Sequence, residues 1–254
     1  MKEYLNFTGK TVIVTGGRRG IGRAISLAFA ERNANVAVVA GSADGSSILE
    51  EIRNVGGDGR YYCCDLGNED ARKGLIDRIA KDMGNRVDVL INNAGMQFLE
   101  TVEECTTENW KCSERVLLDA PCDLSRQAIP YMKKHGGGKI IMISSICAYR
   151  EGAWNFSYAV MKAGVSSMAR SMANHLAKFN INVNAIAPGI IRTPLTESQG
   201  CFSENKYKAL IQKYPAGRLG EPDEIATAAL FLASSMSSFV NGHLLVVDGG
   251  FSGN

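Results

Sequence analysis

Three residues of this 254-residue chain have the chemistry of a proton-transfer site. Tyr158 and Lys162 stand four apart, so a helix would carry a phenol and an ammonium on one face. Ser145 lies thirteen residues before Tyr158 and follows an apolar run, Lys139 to Ile143, that reads as a buried strand. A phenol titrates near pH 10 and is a poor base at neutral pH, but an adjacent ammonium stabilises its phenolate. A hydroxyl at a strand end can hold the oxygen that gives or takes the proton. The Tyr-to-Lys spacing alone occurs by chance on any helix, so its meaning rests on the surroundings.

Those surroundings begin with Lys10 to Thr15, a short β-branched run that leads into Gly16-Gly17-Arg18-Arg19-Gly20-Ile21-Gly22. Ile21, Ala24, Ile25, Ala28 and Phe29 then recur at helical spacing. Strand, glycine turn and helix together make a phosphate cradle, because glycines let the backbone approach a pyrophosphate at a helix N-terminus. A second buried strand, Val36 to Ala40, ends in Gly41-Ser42 with no acid before Asp44. An acid at that strand end would hold the ribose 2′-hydroxyl of NAD. Its absence, with Arg19 in the glycine loop to meet a 2′-phosphate, favours NADP(H), with NAD(H) as the alternative cofactor.

Further strands are predicted over Arg60 to Cys64, Val87 to Ile91, Ile181 to Ala187 and His243 to Val247, with Gly56 to Gly59 as a loop. Between them, helices are predicted over 68–83, over 107–134 despite Pro121 and Pro130, from about Phe156 to Lys178, and from Pro222 to Ala233. Residues 194–216 are polar and lack strong periodicity, which suits a mobile substrate lid. Met96, Gln97, Cys147, Tyr149, Trp154, Asn155 and the segment from Leu195 to Tyr214 are the candidate substrate pocket, with the aromatics offering stacking surface. Strands alternating with helices mean a parallel sheet covered on both faces, in one domain spanning 1–254.

Bulk properties exclude several classes. A net charge of +2 gives no electrostatic case for nucleic acid. No apolar run approaches the roughly 18 residues of a membrane span, and the N-terminus has no apolar signal core, so a cytoplasmic protein is expected. Seven cysteines without a CxxC pair argue against a disulfide framework or a zinc site, so no metal is expected.

In their order, Thr15 to Gly22, Asp65-Leu66, Asn92-Asn93-Ala94-Gly95, Ser145, Tyr158 with Lys162, and Pro188-Gly189 with Thr193 resemble the short-chain dehydrogenase/reductase superfamily, in its single-domain group. The resemblance covers roughly residues 8 to 252. It implies an α/β, Rossmann-type doubly wound sheet of about seven parallel strands and hydride transfer between a nicotinamide and a secondary alcohol or ketone. Tyr158 is then the general acid/base, Lys162 lowers its pKa and binds the nicotinamide ribose, and Ser145 positions the substrate oxygen. Gly16, Arg18, Arg19, Gly20, Ile21, Gly22 and Ser42 would hold the pyrophosphate and adenosine side, and Asp65 and Leu66 the adenine. Asn93, Ala94 and Gly95 would meet the central part, and Pro188, Gly189, Ile191 and Thr193 the nicotinamide. The substrate is a small alcohol or carbonyl compound, with 3-oxoacyl thioesters, sugars or polyols and hydroxysteroids all open, and the assembly a homotetramer or homodimer.

One position departs from the pattern. Where family members carry an asparagine that holds a relay water beside the lysine, this chain has Leu117, which cannot hydrogen-bond one. It motivates a second reading, a cofactor-binding regulator or scaffold with weak or no turnover.

Overall fold

The computed structural model describes residues 4–150, 154–199 and 204–253. Seven strands make one sheet: β1 (Thr11–Thr15), β2 (Asn35–Ala40), β3 (Asp58–Cys63), β4 (Val89–Asn92), β5 (Gly138–Ile143), β6 (Ile181–Pro188) and β7 (Leu244–Val247). Every pairing is parallel and the order is β3-β2-β1-β4-β5-β6-β7. The chain therefore reverses its direction of progress between β1 and β4, which opens a crevice at the carboxyl ends of those strands.

Ten helices lie among the described residues: α1 (Gly20–Ala30), α2 (Ser46–Asn54), α3 (Glu69–Arg72), α4 (Leu75–Asp82), α5 (Thr107–Glu114), α6 (Ala120–Lys134), α7 (Phe156–Leu176), α8 (Pro194–Ser198), α9 (Glu204–Ile211) and α10 (Pro222–Ala233). Because side chains alternate across a strand, each strand feeds two cores. Val12, Val14, Ile141 and Ile143 pack with Ile25 and Phe29 of α1, Ile48 and Ile52 of α2, and Ile225 of α10. Ile13, Leu90, Ile140 and Met142 face the other way, onto Ile76 of α4, Leu124 of α6 and Val165 and Ala169 of α7. Burial on both faces explains why the inner strands β1, β2 and β5 are rich in apolar residues. Among the described residues no helix is long and apolar enough to cross a membrane.

Four elements differ from their sequence prediction. The segment 68–83 is two helices, because Gly74 takes a left-handed conformation (φ +66°) that breaks the run after Arg72. The predicted helix 107–134 is interrupted by a π turn at Arg115–Asp119, which leaves Pro121 at the start of α6, where a missing N–H costs little. Strand β3 begins at Asp58, inside the predicted loop. Gly59 lets Ile52 of α2 pack close, since a Cβ there would stand 2.9 Å from Ile52 Cδ1. The segment 194–216 contains α8 and α9, of five and eight residues, too short to show a helical period. Thr193 and Thr196 cap α8 reciprocally. Residues 200–203 of the predicted lid lie outside the described residues.

Candidate active site

A cleft of about 780 Å³ opens at the carboxyl ends of the strands. Its adenosine half is built by the turn after β1. Gly16 has φ +64°, and a Cβ there would come 2.9 Å from Ala94 Cα. A Cβ on Gly22 would stand 2.2 Å from the Gly16 carbonyl oxygen, so the turn closes only around glycine. Thr15 ties this turn to the end of β4: its hydroxyl accepts from the amides of Asn93 (2.9 Å) and Ala94 (3.0 Å). The Asn93 amide donates back to the Thr15 carbonyl at 2.8 Å, which commits that side chain to the scaffold of the cradle.

The cleft walls hold Gly16, Arg18, Arg19, Gly20, Ile21 and Gly22 from the glycine turn, and Ser42 from the end of β2. Asp65 and Leu66 follow from β3, and Asn93, Ala94 and Gly95 from β4. Pro188, Gly189, Ile191 and Thr193 come from the end of β6. Asp44, the acid nearest the ribose end, is absent from that lining: its carboxylate accepts from the Ser46 amide at 2.8 Å, in a local turn. Arg18 acts electrostatically on both Asp44 and Tyr61, which places its guanidinium toward the ends of β2 and β3.

At the other half, the turn after β5 and helix α7 bring Ser145, Tyr158 and Lys162 to the same cleft. Ser145 caps a short 3-10 turn, its hydroxyl accepting from the Cys147 amide at 3.2 Å, and it lines the same cleft as Tyr158. Lys162 is 4% exposed; its ammonium donates to the Ile143 carbonyl at 2.6 Å and lies 5.5 Å from the Tyr158 ring centre. Burial governs both titrations. It brings the Lys162 ammonium down to about 8, the nearby Cys147 opposing. It pushes the Tyr158 phenol up, with Cys147 adding to the rise and the Ser145 hydrogen bond opposing it. Desolvation therefore dominates the phenol here, and Lys162 is not among the groups that shift it.

The substrate end is more polar than its sequence suggests. Met96, Gln97, Cys147 and Asn155 line the cleft, with Leu195, Gln199 and Tyr214 from the lid segment. The Asn155 amide donates to Cys147 Sγ at 3.0 Å, and Gln199 donates to Gln97 at 3.1 Å. Tyr149 and Trp154 do not line it. Tyr149 is exposed and bonded to Ser252, and Trp154 is 67% exposed. Arg150 and Phe251 do line it, and sequence reading missed both. The Arg150 guanidinium donates to the Phe251 carbonyl at 3.0 Å, a contact across a hundred residues that no local spacing announces.

A family model described as Enoyl-(Acyl carrier protein) reductase matches residues 16–252. The 3-oxoacyl-acyl-carrier-protein reductase of Thermotoga maritima is 34% identical over 97% of this chain and 99% of its own length. A 2-dehydro-3-deoxy-D-gluconate 5-dehydrogenase of Pseudoalteromonas atlantica is 35% identical over the whole of both chains. The crystal structure of a putative NAD(P)-dependent gluconate 5-dehydrogenase from Beutenbergia cavernae, with bound NADP at low occupancy, superposes with a TM-score of 0.94. It is 32% identical and covers 98% of this chain and 99% of that one. The chain belongs to the short-chain dehydrogenase/reductase superfamily.

In this short-chain dehydrogenase/reductase the glycine cradle fits a dinucleotide: Cβ atoms on Gly16 and Gly22 would close the turn that receives a pyrophosphate. Leu117 is 1% exposed and sits in the π turn facing Gly95. A Cβ on Gly95 would stand 3.5 Å from Leu117 Cδ2 and 3.9 Å from Lys162 Nζ. The apolar side chain thus backs onto the cavity wall beside the lysine.

Proposed function

We propose that the protein is an NADP(H)-dependent oxidoreductase that interconverts a secondary alcohol and a ketone. The observation that carries this reading is the meeting of Ser145, Tyr158 and Lys162 with the glycine cradle in one cleft. A bound nicotinamide supplies or accepts the hydride. The protein's own residues handle the proton and the geometry. Tyr158 donates its phenolic proton to the carbonyl oxygen in reduction and takes it back in oxidation. Ser145 holds that oxygen and the phenol together. Lys162, charged below about pH 8, supports the developing phenolate and anchors the ribose end of the cofactor. Arg18 and Arg19 suit a 2′-phosphate, with Ser42 in place of an acid at the end of β2.

The lining favours a polyhydroxylated carboxylic acid, such as a sugar acid, over an acyl chain or a steroid. Gln97, Gln199 and Asn155 offer amides for hydroxyl groups, and Arg150 offers a cation for a carboxylate, while the aromatics Tyr149 and Trp154 lie outside. The gluconate dehydrogenases among the relatives accord with this. A cytoplasmic setting agrees with the six unpaired cysteines of the described residues. Self-association as a homotetramer or homodimer agrees with the half-exposed edge strand β7 and with the exposed Phe239.

The test is a screen of keto acids, 3-oxoacyl thioesters and hydroxysteroids with NADPH and NADH in parallel, read as loss of nicotinamide absorbance. Turnover of a keto acid with NADPH, abolished in Tyr158→Phe, supports the reading. Tight NADPH binding with no oxidation by any of them sinks it.

A further inference from the structure

Glu100 is a carboxylate buried at 3% exposure outside the cleft, against the N-terminus of α7. One carboxylate oxygen accepts from the Ser157 hydroxyl at 2.5 Å and the other from the Asn109 amide at 2.8 Å. Its backbone is clamped to the same place. The Glu100 amide donates to the Trp154 carbonyl at 3.0 Å, and the Phe156 amide donates to the Glu100 carbonyl at 3.1 Å. Ser157 is itself fully buried and lies 3.1 Å from the hydroxyl of Ser113 on α5. The loop that leaves the cleft at Met96 and Gln97, helix α5 and the first turn of α7 therefore meet at one carboxylate.

Packing alone does not call for a charge here. Burying a carboxylate costs several kcal/mol before its partners repay it, and an apolar side chain would fill the space. Helix α7 supplies the reason. It has no acidic residue in its first turn, and its N-cap residue Asn155 accepts no side-chain cap bond. The helix that carries Tyr158 thus receives its N-terminal anion from another segment. Burial opposes ionisation of Glu100, but hydrogen bonds from Ser157, Asn109 and Cys105 outweigh it and hold the carboxyl below the usual range.

The geometry points to Glu100 as a positioning residue for Tyr158: by gripping Ser157, the neighbour of the acid/base, it fixes the rotation of the first turn of α7 and couples it to the loop bearing Met96 and Gln97. This inference rests on the reading of Tyr158 as the acid/base. A displacement of about 1 Å at a reacting group costs on the order of 100-fold in rate, so a clamp one residue away has leverage on kcat while leaving the cofactor cradle untouched.

The test uses the full chain with NADPH and its best carbonyl substrate, in Glu100→Ala, Glu100→Gln and Ser157→Ala. Glu100→Ala is expected to lower kcat on the order of 10- to 100-fold, with KM and NADPH affinity within about twofold of wild type. Gln keeps an acceptor for Ser157 and should restore most of the rate. Ser157→Ala should lose less than Glu100→Ala and add little to it in the double variant, because the two act through one contact. Wild-type kcat in folded Glu100→Ala overturns the inference, as does a parallel loss of kcat and NADPH affinity. If Glu100→Ala does not fold, undiminished kcat in both Glu100→Gln and Ser157→Ala overturns it. Tyr158→Phe, run alongside, separates the two claims: activity retained there removes the underlying reading, and activity lost there but kept in the Glu100 variants removes this one alone.

Discussion

The Lys162 ammonium donates a 2.6 Å hydrogen bond to the carbonyl of Ile143, at the last residue of the strand that leads to Ser145. The lysine is thereby pinned to the sheet on one side and to Tyr158 on the other, 5.5 Å from its ring centre. Its burial brings its titration down to about 8.

On the proposed mechanism, carbonyl reduction needs Tyr158 protonated and Lys162 charged. Burial pushes the phenol up, so the lysine loses its proton first. The kcat for reduction should stay flat to about neutral pH, halve near about pH 8 and then fall about tenfold per pH unit. A profile flat well beyond pH 8 would contradict this. Stability runs the other way. Below about pH 8 both folded and unfolded states hold the proton, and the folded state bears the full cost of the buried charge. As pH rises from there toward the ordinary lysine value of 10.5, the unfolded chain binds more protons, so stability rises. Lys162→Met should therefore be inactive yet more stable at pH 7, by up to about 3 kcal/mol less the lost hydrogen bond to Ile143, with the gap narrowing above pH 8. Denaturant unfolding across pH checks both the sign and the window.

The cradle gives a sharper expectation. A methyl at Gly22 would lie 2.2 Å from a backbone oxygen and 2.4 Å from the Asn93 amide, neither of which can retreat without opening the turn. Gly22→Ala should weaken NADPH binding by more than about 100-fold, equivalent to losing two or more charge-assisted hydrogen bonds. Gly56→Ala is the contrast. That site has open space but a positive φ of +80°, so it should cost about 1 kcal/mol of stability and leave binding alone. Fluorescence titration with NADPH and thermal melts of the two variants separate these effects.

Arg18 and Arg150 both line the cleft, and on the proposed reading they serve the 2′-phosphate and the substrate carboxylate. Arg18→Met should weaken NADPH binding about tenfold or more while leaving NADH unchanged, since only NADPH carries the 2′-phosphate. Arg150→Met should raise KM for a keto acid by about tenfold with little change in kcat, as expected when binding common to ground and transition states is lost. Its effect on an uncharged ketone should be negligible. Equal losses on charged and neutral substrates would remove Arg150 from substrate recognition.

The inner strands were legible because burial on both faces favours apolar runs, as at Val36 to Ala40 and Ile140 to Ile143. The cradle and Ser145, Tyr158 and Lys162 were legible because each depends on a short fixed spacing. Arg150 was not: it reaches the cleft by contact with Phe251, at the far end of the chain. Glu100 was not either, since its partners Ser157 and Asn109 come from two different helices and nothing in its neighbours signals a buried carboxylate. Trp154 misled for the opposite reason. An aromatic beside the catalytic helix suggests a pocket wall, but the chain turns it to solvent.

Leu117 supplies the last prediction. The π turn at Arg115–Asp119 brings it to the wall beside Gly95 and Lys162, where it is 1% exposed. A π turn inside a helix is a distortion often found at functional sites, and here it presents a side chain that can neither give nor accept a hydrogen bond. On the proposed mechanism, an apolar side chain there offers no relay to Lys162, and Tyr158 would be reprotonated through the cleft. Leu117→Asn places a carboxamide at the same point. It should destabilise the fold by about 1–3 kcal/mol, because the amide is buried with few partners. If proton delivery limits turnover, it should also raise kcat severalfold, up to about tenfold, within the range that a positioned proton-transfer group contributes. The diagnostic is the solvent deuterium effect on kcat, expected to be large in the wild type and to shrink toward unity in Leu117→Asn. An unchanged kcat with an unchanged isotope effect would show that the leucine leaves proton delivery fast enough, and that another step sets the rate.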